Sequence, residues 1–261
     1  MKVKNLLIGI YVLLGFSSFA LPKASREIYE IRVYSLKTND QVMKLDNYLK
    51  MSYITVMHKM DVKHVGVFKV IGFDTASVKK IYVITPYKNI DQWKKLTNQM
   101  MNDQDYNQSA SSFINAAADK AAYDRMEIIL TEAFPLHTTL ELPGLKGNKT
   151  DRVFELRSYE SPTDHLFERK VTMFNKGDEI GLFKKLNFNA IFYSSVIAGP
   201  KMPNLMYMVS FESIADRDEH WKQFGNSPEW KNISTMPIYE NKVSVSHIDS
   251  ILMHATEYSD I

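Results

Sequence analysis

Two short segments of the chain, 28–34 and 153–159, place Glu, Arg and Tyr at alternate positions. The six side chains are Glu30, Arg32, Tyr34, Glu155, Arg157 and Tyr159. A guanidinium can hold a carboxylate through two parallel N–H donors, and a phenol can donate a hydrogen bond to a carbonyl. The chemistry that these residue types could perform together is therefore the binding of a small acidic or carbonyl ligand.

The spacing of these residues is that of a β-strand. Successive strand side chains point to opposite faces, so Tyr29, Ile31 and Val33 share one face and the Glu-Arg-Tyr set shares the other. We expect the more apolar face to pack beneath helices and the Glu-Arg-Tyr face to point into a barrel interior. A buried unpaired charge is costly, so each Glu and Arg should be paired or should face a wet cavity. Two interpretations follow: a polar pocket in which Arg32 and Arg157 clamp an anion, or structural ion pairs that fix strand pairing.

Histidines provide a weaker candidate. His64 begins the second predicted strand and His58 ends the helix before it, so His64 joins the predicted ligand-binding residues. Their spacing across a helix-to-strand turn is not one that metal sites use, and the second half of the chain has no histidine in the matching region, 187–189. The sequence also lacks HExxH, GxSxG and a Gly-rich phosphate loop. We therefore predict no metal site and no cofactor, and the catalytic residues stay unknown.

The same order of elements follows both segments, which are 125 positions apart (153 − 28 = 125). Each half reads strand, helix, strand, strand, helix, strand, which is the ferredoxin-like order. The strands of Tyr82 and Tyr207 are also 125 apart (207 − 82 = 125), and Trp93 and Trp221 follow them at comparable helix positions. One such sheet leaves a face uncovered, and a second sheet can cover it. We predict an α+β fold in which two tandem ferredoxin-like repeats pack their antiparallel sheets as an α+β barrel, closed within one chain or between chains.

The chain divides into four parts on this interpretation. Residues 1–20 form a leader, 26–134 the first repeat, 135–151 a linker rich in Pro and Gly, and 152–256 the second repeat.

The leader has the features of a signal peptide. A basic start precedes an uncharged apolar run from Leu6 to Phe16, and Ser18 and Ala20 place small residues at −3 and −1 of a cleavage site. A membrane anchor is the alternative, but the apolar run is short against the ~20 residues that a spanning helix needs. We expect a periplasmic or secreted protein with no membrane association after cleavage.

Charge and cysteine content exclude several classes of function. The formal charge is +2, and removal of Lys2 and Lys4 with the leader leaves 30 basic against 30 acidic residues. Nucleic-acid binding is not expected, because it needs a basic surface. There is no cysteine, which excludes disulfides and thiolate nucleophiles. A small-molecule ligand and self-association through paired sheets remain as partners.

The motifs resemble one family. The segment 154–159 resembles the YELRxY opening strand of NIPSNAP domains, and Trp221 and the segment 227–230 resemble the later Trp and DPxW elements of that family. The second repeat resembles it from about 152 to 252, whereas 103–106 in the first repeat only loosely echoes DPxW. The resemblance implies the dimeric α+β barrel group, which also holds small monooxygenases and haem-degrading enzymes, and it carries no agreed catalytic residues. A ligand-binding barrel is the leading hypothesis; the alternatives are a small oxygenase-like enzyme and an interaction module whose barrel is filled with side chains.

Overall fold

The computed structural model describes residues 25–261, so the predicted leader lies outside the described residues. The described part contains eight strands: β1 Ile28–Leu36, β2 Gly66–Val70, β3 Lys79–Tyr87, β4 Arg125–Ala133, β5 Val153–Glu160, β6 Asn189–Ala198, β7 Asn204–Phe211 and β8 His247–Ala255. Its α-helices are α1 Asn39–Tyr48, α2 Ile54–Lys59, α3 Ile90–Asn102, α4 Gln104–Ser109, α5 Ser111–Ile114, α6 Asp164–Asn175, α7 Glu179–Lys185, α8 Ile214–Asn226, α9 Pro228–Ser234 and α10 Asn241–Ser244. A π-helical turn, Leu49–Tyr53, joins α1 to α2. None of the helices within 25–261 is long and apolar enough to span a membrane.

The first helix after each opening strand begins at an equivalent residue. The Thr38 hydroxyl accepts a hydrogen bond from the Gln41 backbone N–H, and Thr163 caps α6 in the same way (163 − 38 = 125). Asn89 and Ser213 cap α3 and α8 (213 − 89 = 124). Such caps satisfy N–H groups that have no partner inside the helix. The two halves therefore start their helices at matching places.

The sheet is a closed antiparallel barrel in the order β1-β3-β2-β8-β5-β7-β6-β4, and β4 returns to β1. Strand order within the first half is β4-β1-β3-β2, and within the second half it is β8-β5-β7-β6. The halves join where 68–70 of β2 pairs with β8 and where 130–133 of β4 pairs with β6. The barrel thus closes within one chain, which was one of the two arrangements that the sequence left open.

Three hydrophobic cores hold this architecture. Tyr29, Ile31 and Val33 of β1 meet Phe154 and Leu156 of β5 inside the barrel, so this core belongs to both halves. The outer face of each half packs against the helices of that half. Burial of each large apolar side chain contributes about 1.5–3 kcal/mol, so the shared core couples the two halves.

The third strands of the two halves differ in register by one residue. Arg32 on β1 pairs with Val83, whereas Arg157 on β5 pairs with Tyr207. Tyr207 therefore corresponds to Val83, and the predicted equivalence of Tyr207 with Tyr82 was wrong. Because a shift of one residue turns a strand side chain to the other face, Tyr82 lies in the barrel core and Tyr207 lies beneath the helices.

Candidate functional site

Glu155 is the centre of a buried polar network in the second half. Its carboxylate accepts hydrogen bonds from Arg157 Nη1 at 2.6 Å, from Trp221 Nε1 at 2.7 Å and from Ser250 Oγ at 2.6 Å. Arg217 Nε donates to it at 2.7 Å as well. Burial alone would raise the pKa of Glu155, but the hydrogen bonds from Arg217 and Ser250 and the charge of Arg157 lower it to about 2.

Arg157 and Tyr159 extend this network towards the helices. The Arg157 Nε and Nη2 groups donate to the Tyr159 hydroxyl at 3.2 and 3.0 Å. The guanidinium also stacks on Trp221, 4.7 Å from the ring centroid. The predicted set of Glu155, Arg157 and Tyr159 is therefore brought together, with both charges paired.

The first half repeats the arrangement with fewer partners. Arg32 Nε donates to Glu30, and Trp93 Nε1 donates to the same carboxylate at 2.5 Å. The Arg32 guanidinium lies 4.8 Å from the centroid of the Tyr53 ring, and Tyr34 packs in the helix-side core. Glu30 and Arg32 are buried and paired in the described structure.

The Glu-Arg-Tyr sets face the helices rather than the barrel interior. Their partners Trp93, Tyr53, Arg217 and Trp221 all lie on helices or the helical turn outside the sheet, whereas the alternating apolar set fills the barrel. The prediction of an inward Glu-Arg-Tyr face was wrong. The physical reason is that helix-borne donors stabilise these charges on the outer face, so the more polar face of each strand need not be the barrel face.

His64 lies apart from the Glu-Arg-Tyr sets and from the barrel cavity. It lies half-buried just before β2, beside a shallow surface depression that Glu27 and Pro86 also line. Val70, at the other end of β2, lines the cavity described below. The structure does not bring His64 together with the other predicted ligand-binding residues.

The two tryptophans are not equivalent. Trp93 lies four residues after its helix cap (93 − 89 = 4), and Trp221 lies eight after its own (221 − 213 = 8). Arg217 occupies the position that corresponds to Trp93 (217 − 213 = 4). Both tryptophans nevertheless donate to the first Glu of their own half.

A cavity of about 520 Å³ opens at one end of the barrel. Eight apolar or aromatic side chains form its wall: Val33, Val70, Tyr82, Ile129, Leu156, Pro200, Met206 and Ile251. It lies where β6 ends at Ala198, opposite Leu130, while β4 extends back to Arg125. The barrel is therefore filled in its middle and open at this end, which we call the barrel mouth.

Charged side chains surround the barrel mouth. Lys80 and Glu127 lie on β3 and β4, and Lys201 and Asp249 lie across the opening. Lys201 Nζ is 2.6 Å from Asp249 Oδ2 and 3.5 Å from a Glu160 oxygen. The hydrogen bond from Lys201 lowers the pKa of Asp249 despite partial burial. The rim thus carries opposite charges in balance above an apolar wall.

Two polar features lie within the apolar wall. Burial, with smaller contributions from Glu127 and Asp249, raises the pKa of Tyr82 to about 12, so its hydroxyl stays protonated at neutral pH. Ser158 and Asn204, both buried, hydrogen-bond to each other at 2.8 Å. In the described part of the chain no protein group hydrogen-bonds to the Tyr82 hydroxyl, which leaves it available to a ligand.

One group of residues in 25–261 could bring three metal ligands within 4.8 Å of one another: Glu160, His247 and Asp249. The ammonium of Lys201 already lies between the two carboxylates, and His247 Nε2 is 2.9 Å from Asp249. These contacts are those of a surface ion-pair network and do not by themselves indicate a metal site.

Sequence reasoning missed the residues of the barrel mouth. Val33 and Leu156 were placed on the apolar face that we expected under the helices, and Tyr82 was aligned with the wrong partner. The available signal was the apolar set at alternate positions of a strand, such as Tyr29, Ile31 and Val33 on β1, but this set does not say which face of the sheet closes into a barrel.

Sequence comparison with known proteins identifies a family that matches the second half of the chain. No curated protein matches the chain in sequence. Residues 154–260 match the family model named NIPSNAP. Residues 154–260 belong to the NIPSNAP family. The match covers the half of the chain that holds the Glu155 network.

Solved structures share the fold of this protein. A candidate monooxygenase from Lactobacillus acidophilus is 13% identical, covers 88% of this chain and 94% of its own, and has a TM-score of 0.57. A second candidate monooxygenase, from Fusobacterium nucleatum, is 8% identical with 88% and 93% coverage and a TM-score of 0.57. A NIPSNAP family protein from Agrobacterium tumefaciens is 18% identical, covers 41% of this chain and 96% of its own, and has a TM-score of 0.36. The first two likenesses show an α+β barrel fold that spans most of both chains.

Proposed function

We propose that this protein binds a small, mainly apolar molecule with a hydroxyl or carbonyl group in the barrel mouth. The observation that carries the proposal is the cavity of about 520 Å³ with an apolar wall and a charged rim. Ligand sites commonly have volumes of roughly 300–1,000 Å³, apolar walls and a few oriented polar groups, and barrel mouths are frequent places for them.

The charges at the barrel mouth favour an uncharged ligand. Lys80 and Lys201 face Glu127 and Asp249, so neither sign is in excess, and Lys201 is already paired. The wall would stabilise the ligand by about 25 cal/mol for each Å² of apolar surface removed from water. Tyr82 is the group that would orient a ligand oxygen.

A matched pair of variants on one strand tests this site. Ile251 lines the cavity, whereas Ile248, at odd spacing on the same strand, is 41% exposed and lies on the other face. The neutral fluorophore phenylnaphthylamine should bind the wild type and Ile248→Trp, and its binding should fall at least about tenfold in Ile251→Trp, which fills the mouth. Equal binding to all three proteins would rule out the barrel mouth as the site.

Oxygenase chemistry is the second candidate function. It is favoured by the fold shared with two candidate monooxygenases at a TM-score of 0.57. Oxygen consumption with a quinol substrate, present in the wild type and lost in Ile251→Trp, would support it. Binding of the fluorophore without any oxygen consumption by a panel of quinols would favour a binding protein.

We also infer that 26–134 and 152–256 are tandem ferredoxin-like repeats. Support comes from the identical strand order of the two halves and from the offset of 125 that the opening strands and the caps Thr38 and Thr163 share. A duplicated unit also accounts for the recurrence of the Glu-Arg-Tyr set.

For location, we propose export to the periplasm or the outside of the cell, on the strength of the leader in residues 1–20. The intact mass of the protein from its own host tests this. A chain that begins at Leu21 would support cleavage, and a chain that keeps residues 1–20 would contradict it.

A further inference from the structure

A buried charge pair lies in the second half, away from the barrel mouth. Lys170 on α6 and Glu179, the first residue of α7, have side chains only 1% and 3% exposed, and Nζ lies 3.7 Å from Oε2. Lys170 Nζ finds one acceptor in the described structure, Met173 Sδ at 3.2 Å, and Glu179 Oε2 finds no donor. Both groups are therefore removed from water without full hydrogen bonding, which is unfavourable for folding.

The fold does not require this pair. The positions 125 residues earlier hold Leu45 and Ile54, which are buried in the first half, and Ile54 is the first residue of α2 as Glu179 is of α7 (170 − 45 = 125; 179 − 54 = 125). Apolar residues thus satisfy the same packing in the first half. Buried and incompletely paired charges on a scaffold that can do without them indicate a functional role.

The surroundings of the pair favour an anion. Lys170 Nζ lies 5.3 Å from the Tyr159 ring and 5.2 Å from the Phe174 ring, so aromatic faces stabilise the ammonium. The second cation is Arg157, whose guanidinium hydrogen-bonds to the Tyr159 hydroxyl. Burial raises the pKa of Glu179, while the charges of Lys170 and Arg157 oppose that rise. The positive charges of Lys170 and Arg157 thus both act on the Glu179 carboxylate.

A surface groove approaches the pair beside α7. This helix is short, follows Gly177, and begins after Asp178, which has a φ of 65° and makes no capping hydrogen bond through its side chain. A surface groove of about 360 Å³ runs along it and reaches Tyr193, whose ring lies 5.6 Å from Tyr207 beneath the helices. Tyr193 packs on Phe174, whose ring lies 5.2 Å from Lys170 Nζ, so these two aromatic side chains separate the groove from the ammonium.

We propose that Lys170 and Arg157 form a second ligand site, for small carboxylates, which the carboxylate of Glu179 occupies until a ligand displaces it. The ligand enters from the groove beside α7, and its carboxylate takes the place of the Glu179 side chain next to Lys170, within the field of Arg157. An aromatic carboxylate suits the surrounding rings best. This site is separate from the barrel mouth and does not depend on the function proposed for it.

Calorimetric titration with benzoate tests the site. Glu179→Gln removes the competing charge with little change in shape, so benzoate should bind this variant about tenfold more tightly than the wild type. Lys170→Leu/Glu179→Ile copies the first half and should lose binding, while its circular dichroism confirms folding. The barrel-mouth variant Ile251→Trp should bind benzoate as the wild type does.

Three results would overturn the proposal. One is equal affinity, or no binding, in the wild type and Glu179→Gln. Another is unchanged binding by the folded Lys170→Leu/Glu179→Ile protein. The third is loss of benzoate binding in Ile251→Trp, which would place benzoate in the barrel mouth instead.

Discussion

The carboxylate of Glu155 accepts a hydrogen bond from the indole Nε1 of Trp221 at 2.7 Å, and this contact joins β5 to α8. Because Glu155 is fully buried and has several donors, its removal should be costly. The family motif therefore serves, in this half, to attach a helix to the sheet.

Glu155→Gln should lower the free energy of unfolding at neutral pH by about 3 kcal/mol, because an amide cannot satisfy so many donors. Urea unfolding at pH 7 measures this loss. Glu160→Gln, on the same strand but at the rim, is the control and should cost under about 1 kcal/mol. Equal losses in both variants would contradict the role given to Glu155.

Acid should remove the Glu155 contribution over a defined range of pH. The pKa of Glu155 is about 2 in the folded chain against an ordinary value of 4.5. A depressed pKa stabilises the fold fully above 4.5, and this stabilisation is lost as pH falls towards 2. The difference in unfolding free energy between wild type and Glu155→Gln should therefore shrink between about pH 5 and pH 2. A difference that stays constant over this range would show that Glu155 is not held ionised.

Replacement of the buried Lys170–Glu179 pair by apolar side chains should stabilise the fold. Lys170→Leu/Glu179→Ile should fold, and its free energy of unfolding should exceed that of the wild type by about 1–4 kcal/mol, because apolar side chains replace incompletely paired charges. Lys170→Leu alone should destabilise, since it leaves Glu179 without its cation. Urea unfolding of Lys170→Leu, of Glu179→Ile and of the double variant gives the coupling energy between the two residues. A double variant less stable than both singles would contradict this interpretation.

The two halves should unfold together, since the barrel core contains residues of both. Trp93 reports on the first half, and Trp221 and Trp230 report on the second. Urea unfolding is measured for Trp93→Phe and for Trp221→Phe/Trp230→Phe. In each variant the midpoint from tryptophan fluorescence should coincide with the midpoint from circular dichroism. Two separated transitions within either protein would contradict a single cooperative unit.

Tyr82→Phe should weaken the binding of ligands that carry a hydroxyl or carbonyl by about 1 kcal/mol, roughly fivefold, and should leave fully apolar ligands unaffected. Tyr207→Phe is the matched control, because its hydroxyl lies beneath the helices near Tyr159. Paired titrations with naphthol and naphthalene measure the difference. An equal effect of Tyr82→Phe on both compounds would exclude a hydrogen bond from Tyr82.

Local patterns predicted the strands and the order of elements well. The opening strands appear where the Glu-Arg-Tyr spacing placed them, and the α+β barrel follows from two half-covered sheets. Alternation also assigned Tyr29 and Glu30 correctly to opposite faces. These features depend on neighbours in sequence, which is why the sequence alone could predict them.

Features that depend on distant residues could not be predicted in the same way. Which face of β1 enters the barrel depends on Trp93, a residue far along the chain that satisfies Glu30 from the helix side. A one-residue change in strand register moved Tyr207 away from the equivalent of Tyr82. The cavity depends on where β6 stops pairing with β4. Polarity of a strand face is therefore a poor guide to its side of the sheet when charged partners lie on the helices.

Native mass spectrometry of the protein from its own host tests the central claim most directly. The wild type and Ile248→Trp should each carry a small-molecule mass, and Ile251→Trp should be free of it, because only that substitution fills the barrel mouth. Denaturation should release the molecule as an uncharged, mainly apolar compound. If the wild type carries no mass, or if Ile251→Trp retains the same mass, the barrel mouth is not the binding site of this protein.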